Sequence, residues 1–461
     1  MNPPKVPPKP KARGGKVSLR RYAQLFRQDI LSAQPARLYR AWMAEFRTPF
    51  FRSFLINQPD LVQTVLKSRP DDFPKSGRIS EGLRPLLGNS VFLTNGETWK
   101  RQRRIIDPAF EGGRLRDTFG AMWAATEAAV ARLAGQAGRV VEIEEVTSHA
   151  AADVIFRTLF SIPIEHEVAA RVFSRFREYQ REQPILNIAA FIPLPRWFPR
   201  FFSRRTRETA AEIRALIKGL VVERMAQIKG GTAPDDLATK IMTTPDPQTG
   251  ETFEIDEMVD QVAIFFLAGH ETSASALAWA LYMMALYPDW QDKVAQEAQV
   301  LESCDFAVVS RLKVSRDVFR ETLRLYPPVP MMVREATCPE KFRDRIVPKG
   351  SQIVLSPWHL HRHERLWDNP DGFDPARWQT ENGKTCQRTA YIPFSAGSRV
   401  CTGAGFAMIE GPLILSMILQ RFRVEPVTGR EPVPVAHLTV RSRDGIWLKI
   451  TNRQTGSAKL S

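Results

Sequence analysis

A mainly α fold with small β-sheets is predicted for this 461-residue chain by three observations. Apolar residues recur at helical spacing over most of its length. The stretch from about Glu257 to Tyr287 reads as one helix, roughly 45 Å long at the usual rise per residue. β-like patterning appears in short runs such as Phe50–Ile56, and Pro/Gly breaks at Gln183–Pro199, Gly230–Asp236 and Pro245–Gly250 divide the helical segments. No internal repeat is present, and 43% hydrophobic residues suffice for a large core.

In chain order, residues 1–18 form a Pro/Lys-rich basic tail. Met1 to Gly15 has no apolar run, which excludes a signal peptide or membrane anchor there and predicts disorder. The formal charge is +15, but Met1–Arg21 holds seven basic residues and no acidic one, so 15 less 7 leaves +8 for the rest. No basic patch is interleaved with stacking aromatics, so the charge does not point to nucleic acid. Cys304, Cys338, Cys386 and Cys401 are scattered without a C-x-x-C, so neither a zinc cluster nor a disulfide scaffold is predicted, and a reducing, cytoplasmic setting follows.

From Leu19 to about Ala44 the spacing predicts helix. The strand Phe50–Ile56 and a second helical start at Gln58-Pro59-Asp60 complete a small mixed lobe. Phe73 to Gly88, rich in Pro, Gly and charge, predicts a long loop of the kind that lids binding sites. Within Ile185–Phe202, Phe191, Trp197 and Phe198 stand among arginines such as Arg196 and Arg200. That composition suits weak peripheral contact with an anionic membrane; the competing reading is a roof over a substrate cavity.

Several stretches further along carry candidate chemistry. Trp99-Lys-Arg-Gln-Arg103 begins a helix and sets Trp99 and Arg103 on one face at i,i+4; alone it reads as a solvated basic face. The long helix has Ala268-Gly269-His270-Glu271-Thr272-Ser273 at its centre. A mid-helix Gly costs about 1 kcal/mol against Ala, and Thr272 can bond back to the Ala268 carbonyl, so a local opening is expected. Phe265, Ala268, Thr272 and Ala276 share a face whose middle is small enough for a flat group and dioxygen. A membrane span is disfavoured by His270 and Glu271 near its midpoint, and core packing gives no reason for an acid–alcohol pair. Glu321-Thr-Leu-Arg324 is an E-x-x-R, a pattern that recurs at Glu81, Glu111, Glu178 and Glu340 and says nothing alone. His359, His361 and His363 alternate, which strand-like spacing would put on one face, but no cysteine or carboxylate closes a zinc site.

The most informative stretch is Phe394-Ser-Ala-Gly397-Ser-Arg399-Val-Cys401-Thr-Gly403, which runs into the helical pattern Ala404–Phe422. A cysteine at a helix start meets free N–H groups and the positive end of the dipole, which compensate a thiolate. Cys401 is therefore read as the axial ligand of a haem iron. Gly397 and Gly403 let the backbone pass close to a flat macrocycle. Phe394 shields the Fe–S bond, and Arg399 offers a planar fork to a haem propionate. A buried structural cysteine after a Gly-rich turn is the bland alternative, and it leaves five residue types at fixed spacing unexplained.

That spacing, F-x-x-G-x-R-x-C-x-G, resembles the signature of the cytochrome P-450 superfamily. The continuation Phe406-Ala407-Met408-Ile409-Glu410, together with Arg399, resembles its eukaryotic-like branch. The resemblance covers about Leu19 to Leu448 and implies one haem-thiolate catalytic domain over residues 19–461, with haem b between the long helix and the one after Cys401. It implies propionate contacts from Trp99, Arg103 and Arg334, and cofactor contacts from Ala268, Phe394, Arg399, Cys401 and Gly403. By the same resemblance Thr272 hydrogen-bonds the iron-bound oxygen species, Glu271 relays protons, and Glu321, Arg324 and Arg377 form a buried structural network. The pair His361-Arg362 matches another family pattern.

The implied reaction is reductive activation of O2 and insertion of one oxygen atom into a C–H or C=C bond of a lipophilic molecule, a fatty acid or terpenoid. Its pocket would be lined by Phe265, Phe266, Ala268, Val329, Met331 and Met332. The chain has no flavin- or iron–sulfur-binding segment, so a ferredoxin- or flavodoxin-type donor with its reductase is expected, steered by Arg101, Arg103, Arg104 and Arg399. Two other classes compete. A peroxide-using haem-thiolate peroxygenase or isomerase would not need Glu271 and Thr272, and a non-catalytic haem sensor protein would not need a lipophilic cavity.

Overall fold

The structure, a computed structural model, describes residues 6–47, 51–182, 204–436 and 438–453. The aromatic–arginine segment 185–202 lies outside the described residues. In chain order the helices that build the body and the site are α1 (Leu19–Gln28), α2 (Gly77–Leu87), α3 (Gly96–Ile106), α4 (Phe119–Ala134), α5 (Ile143–Phe160), α6 (Glu167–Glu182), α7 (Arg204–Lys229), α8 (Ile255–Leu286), α9 (Lys313–Leu325) and α10 (Ala404–Arg421). The largest sheet joins β1 (Met43–Arg47), β2 (Arg52–Ile56), β3 (Met332–Glu335) and β4 (Gln352–Leu355) in the order β1-β2-β4-β3. Its β2–β4 pair is parallel, with Ser53 opposite Gln352; the other two pairs are antiparallel. Near the C-terminus β5 (Pro434–Ala436) and β6 (Val440–Ser442) form a hairpin.

α8 is the axis of the body. Glu254 and Glu257 close a capping box at its start, and nearly every side chain from Met258 to Ala285 is buried. It is continuous, so the opening predicted at Gly269 does not occur. A Cβ on Gly269 would stand 2.5 Å from Ile155 Cδ1, so the glycine serves close approach of α5 instead. α10 packs on α8 and α9, and here too a glycine permits contact: a Cβ on Gly411 would meet the Phe319 ring at 2.2 Å.

The loop predicted over Phe73–Gly88 contains α2. Ser76 caps it by accepting the Arg78 N–H, and Leu86 and Leu87 are fully buried, a stripe that the Gly/Pro composition conceals. The helix predicted from Leu19 to Ala44 stops at Gln28, where Asp29 turns extended and its carboxylate accepts the Leu31 and Ser32 N–H groups. The tail expected to be disordered is, from residue 6 on, laid against the body. Lys9 Nζ sits 3.7 Å from the Tyr39 ring centroid and 2.9 Å from Asp371, and the Pro8 carbonyl accepts the Tyr326 hydroxyl at 2.8 Å. An apolar-run criterion does not see such polar and cation–π anchoring.

His359, His361 and His363 do not share a strand face. They lie in and after the short helix Pro357–Leu360 with separate partners: Ser356 Oγ, the Ile392 N–H and the Trp42 ring. Glu321 takes Arg324 at 2.8 and 3.0 Å and Arg377 at 3.1 Å, all buried, while Arg324 also donates to the His361, Pro370 and Gly372 carbonyls. This network ties α9 to the segment that precedes the cysteine loop. Among the described residues no helix is long and apolar enough to cross a membrane.

Candidate active site

The cysteine loop is closed by the Cys401 N–H donating to the Phe394 carbonyl at 2.9 Å. Gly397, at φ +70°, runs so close to the Leu66 carbonyl that a Cβ would stand 1.9 Å from it. Cys401 has accessible surface, yet enough protein surrounds it for burial to push its thiol up, while the Gly403 N–H and the Arg103 guanidinium pull it back. A thiol that is both accessible and desolvated faces an interior concavity. A Cβ on Gly403 would come to 4.0 Å of the sulfur, an ordinary van der Waals contact.

Beside the loop, four cations gather around Trp99. Lys75 Nζ, Arg399 Cζ and Arg103 Cζ stand 5.7, 4.8 and 5.9 Å from its ring centroid. Arg334 joins them through the isolated β-bridge between its own residue and Lys75. The elements responsible are α3, which carries Trp99 and Arg103, and β3, which carries Arg334. Asn95, at the head of α3, holds Lys75 by both its backbone N–H and its carbonyl.

This cluster is short of negative charge. Arg103 pairs with Asp107 at 2.8 Å and Arg399 with Asp71 at 3.5 Å; among the described residues neither Lys75 nor Arg334 has a carboxylate. Burial, then Arg334, Arg399 and Arg103, pulls Lys75 down to about 6. Burial and Arg399 pull Arg334 down to about 10. Arg399 Nε is buried without a partner. Buried cations are tolerated when an anion completes them.

The third component is a stripe on α8. In the middle of an otherwise buried helix Ala268 is exposed, with Phe265, Gly269 and Thr272 half-exposed beside it. Thr272 Oγ1 donates to the Ala268 carbonyl at 2.5 Å. Glu271 is turned away from this stripe: its carboxylate accepts from Gln180 of α6 at 2.7 Å and from Thr439 at 2.9 Å, with Arg441 of β6 at 3.4 Å. The two members of the predicted relay are therefore not bonded to each other.

A desolvated thiol, a set of under-compensated cations and an apolar helix stripe fit a flat, dianionic cofactor ligated by sulfur. Haem has that chemistry, and the residues present fit it. A family model for cytochrome P450 matches residues 42–450. The chain belongs to the cytochrome P450 family. Cyclooctat-9-en-7-ol 5-monooxygenase of Streptomyces melanosporofaciens is 33% identical over 395 residues, 84% of this chain and 83% of that protein. Cyclooctatin synthase of the same organism is 32% identical over 397 residues, 84% of each. The crystal structure of the cytochrome P450DA heme domain, 24% identical, matches with a TM-score of 0.79 over 97% of this chain and 98% of that one, which speaks to the fold alone. This P450 is a haem-dependent monooxygenase that uses O2, a lipophilic substrate and electrons from a redox partner.

Of the predicted site residues of the P450, Trp99, Arg103, Arg334 and Arg399 converge, Phe394, Cys401 and Gly403 share the loop, and Ala268 and Thr272 share the stripe. Phe266 is not a pocket residue: it is buried, 4.3 Å from the Phe156 ring. The four arginines expected to form a free positive surface each have a carboxylate: Arg101 with Glu257, Arg103 with Asp107, Arg104 with Asp246, Arg399 with Asp71. Lys75 escaped the sequence reading because no motif marks it; its only local signal is Pro74 before it in a supposed loop.

Proposed function

We propose that this P450 hydroxylates or epoxidises a lipophilic terpenoid, binding haem b through Cys401 with the propionates toward Lys75, Arg103, Arg334 and Arg399. The observations that carry this reading are the cation cluster beside an accessible, desolvated thiol and, on α8, an apolar stripe left open in an otherwise buried helix. When bound, the haem supplies dioxygen activation at a thiolate-ligated iron.

The chain's own residues do the rest. The Gly403 N–H and Arg103 favour the thiolate of Cys401. Ala268 and Phe265, with Val329 and Met331 half-buried nearby in sequence to Arg334, keep water from the reacting centre and orient an apolar skeleton. Thr272 can turn its hydroxyl outward at the expense of one bond within its own helix, about 1 kcal/mol, and so hold a proton toward the stripe. Glu271 supplies protons only after its carboxylate leaves Thr439 or Gln180. The preference for a terpenoid over a fatty acid is supported by two relatives above 30% identity, one of which is named for cyclooctat-9-en-7-ol. The donor is read as a separate ferredoxin- or flavodoxin-type protein with its reductase.

The test is spectral. Reduced protein under carbon monoxide should show the red-shifted Soret band of thiolate ligation, and Cys401→Ala should lose it while Cys386→Ala keeps it. Terpenoid alcohols should then shift the haem absorption spectrum at lower concentration than fatty acids; the reverse order would reject the substrate class and leave the ligation standing.

A further inference from the structure

Glu410 lies seven residues into α10, on the helix that leads from Cys401, and no role has yet been found for it. Its side chain is 1% exposed. Oε2 accepts the Ser273 hydroxyl at 2.6 Å, and Oε1 is buried without a partner. Ser273 belongs to α8, next to Thr272. Glu410 thus makes a polar link between the thiol-bearing helix and the oxygen-side helix.

The contrast with Glu321 shows what this chain does with a buried carboxylate that is charged: it surrounds it with two guanidinium groups. Glu410 has one hydroxyl. The ionisable groups on the helices packed against α10 are engaged elsewhere, exposed to solvent or neutral. On α8, Glu271 bonds Gln180, Thr439 and Arg441, and the buried His270 bonds Ser148. On α9, Glu321 and Arg324 pair with each other, and Asp317 with Arg316 and Arg320. On α4, Arg132 pairs with Glu165 and Glu127 is exposed; on the helix Pro288–Glu297, Asp289, Asp292 and Lys293 are exposed and Glu297 accepts the Ser315 hydroxyl; on the short helix Gly112–Asp117, Arg114, Arg116 and Asp117 are exposed. A lone buried carboxylate would carry a desolvation penalty of several kcal/mol, which protonation removes.

We propose that Glu410 is a neutral acid that positions α10 against α8 through Ser273, setting the thiolate-bearing helix relative to Thr272. Burial, opposed only by the Ser273 hydroxyl, holds its carboxyl up at about 8, in keeping with that geometry. The acid is a positioning residue, since it touches neither cofactor nor substrate. Below about pH 8 the joint is neutral; above, it carries an uncompensated buried anion between the two helices.

Glu410→Gln separates this role from a generic packing role, because the amide is isosteric, neutral at every pH and still accepts from Ser273. The folded-state proton is held to about 8, whereas an unfolded glutamate releases it near 4.3. Wild-type stability from this group is therefore fully present below about pH 4.3 and lost as pH rises to about 8. In the holoenzyme the melting temperature of Glu410→Gln should gain on that of the wild type steadily between about pH 5 and 8 and run parallel to it above. A difference that stays flat across this range overturns the neutral acid.

The second arm rests on the reading of Thr272 and Cys401 given above. Ser273→Ala, which removes a hydroxyl and leaves no large void, should lower product formed per NAD(P)H consumed several-fold while keeping the thiolate carbon monoxide band. Glu410→Gln should keep wild-type coupling at pH 7 and hold it above pH 8, where the wild type falls. Unchanged coupling in Ser273→Ala, or parallel pH profiles of wild type and Glu410→Gln, overturns the positioning role. Absence of the thiolate band in the wild type itself would instead reject the ligation, and the melting arm does not depend on it.

Discussion

At the scale of single residues the site is set by groups whose ordinary ionisation is disturbed. Lys75 stands at about 6 because it is buried, with the guanidinium groups of Arg334, Arg399 and Arg103 adding to the effect. A dianion placed there would restore its charge. Haem binding by the apoprotein should therefore take up about one proton per site near pH 8, read as a calorimetric heat that varies with the buffer's ionisation enthalpy. Lys75→Met should abolish that uptake and speed haem loss roughly ten- to a hundredfold, the worth of one charge-assisted hydrogen bond. Thr272 makes a different claim. Its hydroxyl bonds only within α8, so Thr272→Ala should leave haem and substrate binding nearly unchanged while product per NAD(P)H drops at least several-fold and peroxide rises, on the scale of general acid–base contributions of about 10²–10⁴. Unchanged product and peroxide yields in the variant would remove Thr272 from the chemistry.

At the scale of elements, two ionic joints hold the parts in place. α3 is fastened to the turn before α8 by Arg104 and the fully buried Asp246, which also accepts from Thr249, and to α8 itself by Arg101 and Glu257. The Arg104 hydrogen bond leads the causes that hold Asp246 down to about 2. An aspartate depressed below its unfolded value stabilises above about pH 4, and that stabilisation is lost as pH falls toward 2. Asp246→Asn should melt lower than wild type at pH 7, and the gap should close as the pH is brought down; a gap that widened would contradict the joint. The second joint is Glu321 with Arg324 and Arg377. Removing one partner leaves buried charge uncompensated, so Glu321→Ala should cost about 3–5 kcal/mol in denaturant unfolding and lower haem content on purification.

For the whole molecule, the net charge of +15 and its distribution are separate matters. The arginines nearest the cysteine loop are consumed by internal carboxylates, so a donor protein meets fewer free cations there than the sequence implies. Reduction by an acidic ferredoxin should still slow with salt through the overall field. Arg104→Gln, however, should change the melting temperature and leave the salt slope of reduction as it is. The basic tail is likewise partly committed, with Lys9 set between the Tyr39 ring and Asp371. Deleting residues 1–13 should lower the melting temperature by about 2–5 °C without moving the carbon monoxide band.

What the sequence alone determined is whatever is encoded locally. Helical spacing, the cysteine at a helix start, and small residues on one face of a long helix are properties of neighbours along the chain and were legible, except that Ala276, expected on the open face, is buried; α8 differs from its predicted ends by two residues at one and one at the other. Trp99 and Arg103 were legible for the same reason, being one helical turn apart. Only the tertiary structure decided what depends on distant partners. Lys75 meets Arg334, 259 positions further along the chain, Glu271 turns to Thr439, and Arg104 finds Asp246, and no spacing rule carries such pairings. The same holds for Gly269, whose absent side chain answers to Ile155, and for Glu410, whose protonation depends on the lack of any charge around it. Electrostatics and close contact act through space, so their outcome is set by which segments the fold brings together.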